Sequence, residues 1–252
     1  MSGPLFESEA TVNSRPVHLF LSPHPGDALL ACGATMAHLA RKGARVLVAV
    51  PFVAFRGDGW DVERETHDAW AHVGARGWIG LYPPAERRRH PAEGRLLYTH
   101  PRTLYGLPDP SEGDLPHRLA GEITALVDEA PAFIYAPLAM TRHVDHIHLA
   151  SAGHVLARAG YRVLWYEEFP RRPVRETIRT LKRRGWSPLL LPLSEGDARA
   201  KVAALHALRF RIPRTFGHAR EIERRVEDDL WTQSGQGYRA ERFWERTQGG
   251  RP

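Results

Sequence analysis

The sequence predicts an α/β fold of the Rossmann-like, doubly wound type, built on a mainly parallel sheet. Three observations predict it. Short apolar runs alternate with segments of helical periodicity. The first two runs enclose a single helix, a βαβ unit whose strands are parallel. Two clusters rich in His and Asp follow strand-like runs directly, where sheets of this type bind ligands.

Val17-His18-Leu19-Phe20-Leu21 reads as a buried strand, followed by the turn-prone Ser22-Pro23-His24-Pro25-Gly26. A helix is expected from Asp27, as its N-cap, through Ala40, with Gly43 ending the pattern. Arg45 to Val50 is the second strand, Val62 to Val73 a helix, and a strand lies near Trp78 to Leu81. The polar, proline-rich stretch from Pro83 to Pro116 is too long for a connector and is expected to wall a substrate pocket. Beyond it, Leu119 to Asp128 is helical, Ala132 to Ala136 a strand, Ile147 to Ala159 helical and Arg162 to Tyr166 a strand. A last amphipathic helix is expected over Glu195 to Leu208, and Ser234 to Tyr238 leads into a short terminal segment.

At 252 residues the chain is read as one domain, residues 1–252, with a flexible N-terminus over residues 1–15. Hydrophobic residues at 42% and charged residues at 25% place it among soluble globular proteins, and no apolar run approaches bilayer length. The first residues lack the basic and apolar stretches of a secretory signal, which points to the cytoplasm. The single cysteine, Cys32, cannot form an internal disulfide and reads as a core residue. The net charge of +6 is spread through the chain, and its densest run, Glu86 to His90, lacks the interleaved aromatics of a single-strand binder. The expected partner is therefore a small molecule, anionic groups included, and neither nucleic acid nor membrane. Homo-oligomerisation is left open. No GxSxG, GxGxxG or GxxxxGK motif supports serine hydrolase, dinucleotide or P-loop chemistry.

The chemistry concentrates in Ser22-Pro23-His24-Pro25-Gly26-Asp27 and in Arg142-His143-Val144-Asp145-His146. His24, Asp27 and His146 supply the three protein ligands typical of a catalytic zinc, which leave one position open. Asp145 can orient an imidazole from behind. The same residues read equally as a turn histidine, a capping aspartate and an exposed helix start.

These motifs resemble those of the LmbE-like family, also called the PIG-L or N-acetylglucosaminyl-phosphatidylinositol de-N-acetylase family. The likeness rests on Pro23-His24-Pro25-Gly26-Asp27-Ala28, Ala31-Cys32-Gly33-Ala34 and His143-Val144-Asp145-His146. It extends through Arg64-Glu65, Ala69, Gly74, Tyr135-Ala136-Pro137-Leu138 and Tyr166-Glu167-Glu168-Phe169-Pro170. It implies an LmbE-like three-layer sandwich and a zinc-dependent hydrolase that removes acyl groups from amino sugars or amines, a chemistry found in specialised metabolism. It further implies zinc held by His24, Asp27 and His146, with His143 stabilising the oxyanion or protonating the leaving group. Asp145 joins His143 as a catalytic candidate, and Arg64 and Arg142 are candidate substrate contacts, Arg142 through a bidentate grip on a carboxylate or phosphate.

One departure matters. The family's general base, the first Asp of its Asp-Asp pair, is Gly26 here. A positioned acid or base contributes about 10²- to 10⁴-fold to rate. Three consequences are open: another group serves, from Asp145, His143 or the loop bearing His90, Glu93 and His100, or from the substrate itself; the zinc is repurposed for cyclisation, elimination or transfer; or the chain is a pseudoenzyme that binds metal or ligand without turnover.

Overall fold

The computed structural model describes residues 15–53, 61–169 and 174–246. Its strands are β1 (Val17–Leu21), β2 (Arg45–Phe52), β3 (Ala75–Tyr82), β4 (Phe133–Pro137), β5 (Val163–Tyr166), β6 (Trp186–Pro192) and β7 (Ala240–Arg246). The longer helices are α1 (Asp27–Arg41) and α2 (Val62–His72), then, after the single turn α3 (Pro101–Leu104), α4 (Leu115–Ala125), α5 (Val144–Arg158), α6 (Val174–Arg183) and α7 (Glu195–Ala207). The single turn α8 (Ile212–Thr215) precedes α9 (Ile222–Ser234). All strands join one sheet in the order β3-β2-β1-β4-β5-β7-β6. The first five are parallel, and β7 lies antiparallel between β5 and β6.

Strand side chains alternate between two cores. Phe20, Val48, Tyr135, Leu164 and Phe243 pack with Leu29 of α1, Trp70 of α2, Leu205 of α7 and Leu230 of α9. Leu19, Leu21, Ile134, Trp165 and Trp244 pack with Leu119 of α4, Leu149 of α5 and Leu181 of α6. A sheet buried on both faces explains why its strands read as continuous apolar runs rather than alternating ones. The result is the three-layer α/β fold. Chain order runs outward from β1 to β3 and then restarts at β4 on the other side of β1. The crevice at the carboxyl ends of β1 and β4 is therefore the switch point where such folds bind ligands.

Several boundaries differ from the sequence reading. Asp27 does not cap α1: Gly26 is the N-cap, in the left-handed region at φ 91, and the Asp27 carboxylate makes no capping hydrogen bond. The first turn is served instead by Ser22, whose hydroxyl accepts from the Ala28 N–H at 2.9 Å. The second motif runs into α5, which begins at Val144 rather than Ile147, because His143 Nδ1 caps it by accepting the Asp145 N–H at 3.2 Å. β3 begins at Ala75, and α4 covers Leu115–Ala125. Glu195 to Leu208 is not the last helix, since α9 follows it. The terminal segment is β7, an interior strand. The N-terminal residues 1–14 and Pro170 lie outside the described residues.

His18 on β1 is 2% exposed, with Nδ1 2.9 Å from the Tyr135 hydroxyl. Burial lowers its pKa from 6.5 to about 4. Between those values the unfolded chain binds a proton that the folded chain refuses, so stability rises with pH across this window and is lost as pH falls through it. The cost at pH 4 is about 3 kcal/mol. Denaturant titrations at pH 7 and pH 4 should show this loss in the wild type and a smaller one, by about that amount, in His18→Gln. Equal losses would refute the assignment.

Candidate metal centre

β1 delivers His24 and α1 delivers Asp27, while the loop after β4 and the first turn of α5 deliver His143, Asp145 and His146. His24 Nδ1 lies 3.0 Å from Asp27 Oδ2, and His146 Nε2 lies 3.5 Å from the same oxygen. Two ligands on a tetrahedral zinc are separated by about 3.3 Å, given bonds of about 2.0–2.1 Å. The donor atoms of His24, Asp27 and His146 all lie within 4.8 Å of one another, and the trio suits a divalent metal. A second group, His24, His143 and Asp145, also lies within that limit. It uses the far side of the His24 ring and a carboxylate already filled by other donors.

Each of the two imidazoles is held from behind. His24 Nε2 is 2.8 Å from Asp145 Oδ2, and His146 Nδ1 is 3.1 Å from Glu168 Oε1. Carboxylates in this position fix the tautomer and raise ligand basicity. Without a metal the same geometry favours protonated rings. Burial alone would lower the His146 pKa, but Asp27 and Glu168 together raise it to about 10. His24 is raised in the same way against burial by Asp145 and Asp27. Burial opposes ionisation of Asp27 too, yet Arg211 and the two histidines hold it well below the usual carboxylate range.

Asp145 is fully buried and accepts from His24, from the Ala85 N–H at 3.1 Å and from Arg88. This is the geometry of an orienting acceptor, closed to solvent. His143 is committed through Nδ1 to its capping bond, and its Nε2 faces Glu86 Oε1 at 4.0 Å. Tyr105 lies edge-on against the His143 ring at 5.4 Å. Arg142 is exposed and sits at φ 60, next to Ala139 at φ 55 two peptides beyond β4. Arg64 is not joined to the cluster; it faces solvent and pairs with Asp61 at 3.3 Å and Asp68 at 3.9 Å. Among the described residues, no hydrogen bond or ion pair links His90, Glu93 or His100 to the cluster: His90 and Glu93 pair with each other inside the loop.

Four residues at the centre escaped the sequence reading. Glu168 sat in a matched stretch at a carboxyl end of the sheet, which was the available signal. Arg88 belongs to the charged run noted only for lacking interleaved aromatics; it is 6% exposed, pairs with Asp145 and Glu112, and stacks on Phe52 and Tyr98. Glu86 precedes it in that run. Arg211 comes from a turn 184 residues beyond Asp27 and carried no signal at all; its Nη2 donates to Asp27 Oδ1.

The space beside Gly26 is filled as well. A Cβ there would stand 2.8 Å from Leu208 Cδ1 and 3.6 Å from both Cγ and Nε of Arg211. The turn that brings these two side chains in is clamped by the buried Glu65 of α2, which accepts from the Phe210 N–H at 3.1 Å and from Arg209. Apolar and cationic groups thus crowd the place where a carboxylate base would begin.

Known proteins resemble this chain in sequence and in fold. A 2'-N-acetylparomamine deacetylase of Niallia circulans is 27% identical over 184 residues, 60% of this chain and 66% of that protein. A 2'-N-acetylparomamine deacetylase of Streptomyces fradiae is 29% identical over 213 residues, 75% of this chain and 71% of that protein. The chain thus spans about two thirds of the length of these relatives. The zinc-inhibited form of teicoplanin deacetylase Orf2 shares the fold, with a TM-score of 0.74 at 20% identity over 92% of this chain and 99% of that one. The profile described as GlcNAc-PI de-N-acetylase (PIG-L) matches residues 19–157, so that the switch-point crevice, its two motifs and most of the parallel sheet fall inside the match and the chain belongs to that family.

Proposed function

We propose that the chain is a zinc-dependent N-deacylase acting on the amide of a small N-acylated sugar or amine, in specialised metabolism, with His24, Asp27 and His146 as zinc ligands. The observation that carries this reading is the pair of carboxylate-backed imidazoles converging on one oxygen of Asp27. Bound zinc supplies Lewis acidity toward the carbonyl and acidifies water beside it.

The chain's own residues orient the substrate and move protons. Because His143 Nδ1 accepts a backbone N–H, the neutral ring carries its proton on Nε2. That nitrogen is a donor, suited to the charge developing on the carbonyl oxygen and then to the leaving amine, and unsuited to serve as the base. Asp27, Asp145, Glu112 and Glu168 are closed in, at no more than 10% side-chain exposure, whereas Glu86 beside His143 is 53% exposed. The His143 imidazole facing it at 4.0 Å is the main reason the Glu86 pKa falls to about 2, so the carboxylate is ionised, and it gains basicity only when His143 turns to the substrate. We assign Glu86 to accept the proton of the attacking water in place of the missing residue-26 carboxylate. The loop of residues 83–116, which carries Glu86, Arg88 and Tyr105, is the pocket wall, and Arg142 is its exposed anion contact.

A second reading is favoured by one specific feature, the cationic Arg211 side chain crowding the position of the lost base: a centre that activates a carbonyl without hydrolysis. The experiment is acetate release from 2'-N-acetylparomamine and a panel of N-acetyl sugars and acyl amines by the zinc-supplied protein. Hydrolysis is expected, with kcat lowered about 10²- to 10⁴-fold in His143→Gln and in Glu86→Gln at unchanged zinc content. Zinc uptake with no release from any substrate would leave the non-hydrolytic reading. Full turnover in both variants would remove the two assigned roles.

A further inference from the structure

We infer that Arg211 turns the position of the lost base into an anion subsite, so that the substrate carries a carboxylate beside its reacting carbonyl. The inference deepens the proposed function and rests on it only for where the carbonyl sits.

Arg211 is not a loose surface charge. Its backbone N–H bonds the Leu208 carbonyl at 3.0 Å, and the same turn is fastened to the buried Glu65 through Phe210 and Arg209. Its side chain is 23% exposed and runs from Asp27 past Gly26, with Cγ and Nε each 3.6 Å from where a Gly26 Cβ would stand. Only Nη2 has a partner among the described residues, Asp27 Oδ1; Nε is buried without one. An arginine offers five N–H donors in a planar fork that matches two carboxylate oxygens. Most of that capacity is unspent here, at the edge of the candidate metal cluster.

Asp27 binds the two sides differently. Its Oδ2 faces the histidines and its Oδ1 faces Arg211. A cation held on Oδ2 draws on the same carboxylate charge that otherwise neutralises Arg211, which leaves the guanidinium free to attract an anion. A carboxylate base at residue 26 would have repelled such a substrate. Its replacement by glycine, with Arg211 drawn into the gap, exchanges a proton acceptor for a carboxylate receptor. Arg211 is in this view a specificity-determining residue rather than a catalytic one.

Calorimetric titration of N-acetylglycine and of its neutral amide, N-acetylglycinamide, into the zinc-supplied full chain tests this. The carboxylate should bind about tenfold tighter or more, and the preference should fall to about twofold or less in Arg211→Gln at unchanged zinc content. Arg211→Lys, which keeps the charge and loses the fork, should retain only part of it. Equal binding of the two probes by the wild type would overturn the inference. So would an undiminished preference in both variants, since the carboxylate would then be held by the metal alone. Should the protein take up no zinc, the function proposed above fails, and the same comparison on the metal-free chain decides the subsite by itself: a preference lost in Arg211→Gln upholds it, and no preference overturns it.

Discussion

Gly26→Asp, the change that restores the family's carboxylate, should destabilise the protein by about 2 kcal/mol and give no gain in deacylation. An L-residue at a left-handed φ costs about 1–2 kcal/mol, and here φ is 91. The new Cβ would also meet Leu208 Cδ1 at 2.8 Å, and Leu208 is fully buried with little room to turn aside. Overpacking of this kind costs about 1 kcal/mol or more. Beyond the steric penalty, the new carboxylate would lie against Arg211 and pair with it rather than with water. Adding Leu208→Ala should recover part of the loss, though it creates its own cavity, and adding Arg211→Gln should release the carboxylate. Thermal melts and acetate release across the single, double and triple variants check each step. A stable, fast Gly26→Asp protein would show that Leu208 and Arg211 do not close the base position.

Lys201→Met should be the most damaging single change away from the centre, at about 3–5 kcal/mol, enough to leave a typical domain marginal. Lys201 of α7 and Glu241 of β7 are each 1% exposed and meet at 2.7 Å. Glu241 also accepts the Thr35 N–H at 2.8 Å and the Ala34 N–H at 3.3 Å, so the pair ties α1, α7 and β7 together. Losing the ammonium strands a buried carboxylate. Methionine fills the stem's volume, which separates lost charge from lost packing. Replacing both partners, Lys201→Met with Glu241→Gln, should be less harmful than Lys201→Met alone. Chemical denaturation of the three proteins gives the comparison, and a single variant as stable as the wild type would contradict it.

The same pair shows why part of the fold was hidden in the sequence. β1, β2, β4 and β5 are apolar on both faces, and such runs declare themselves. Ala240–Arg246 lies between two strands yet reads Ala-Glu-Arg-Phe-Trp-Glu-Arg. Its buried charges are compensated by distant residues, Glu241 by Lys201 and Arg242 by Glu167 at 2.7 Å, and that compensation is visible only in three dimensions. β6 carries Pro188 and Pro192, which argue against a strand unless it is an edge, as it is. α9 buries Ile222, Val226 and Leu230 on a stripe one residue wide, too narrow to stand out among its charges.

The centre divides in the same way. His24, Asp27, His143, Asp145 and His146 were legible because two short motifs follow β1 and β4, and adjacency of those strands brings them together. The groups that modify the centre come from elsewhere: Glu168 from the end of β5, Glu86 and Arg88 from the long loop, and Arg211 from the turn before α8. The absence of a base was plain at Gly26. That Leu208 and Arg211 fill its place was not, because no local pattern ties position 26 to position 211.

Zinc uptake decides whether His24, Asp27 and His146 form a metal centre in a chain with glycine at residue 26. Elemental analysis of the purified, zinc-supplied protein measures it most directly, alongside His146→Ala and Glu168→Gln. About one zinc per chain is predicted for the wild type and none for His146→Ala, with affinity about 10- to 100-fold weaker in Glu168→Gln. A wild type that binds no zinc, or a His146→Ala protein that keeps it, would contradict the account.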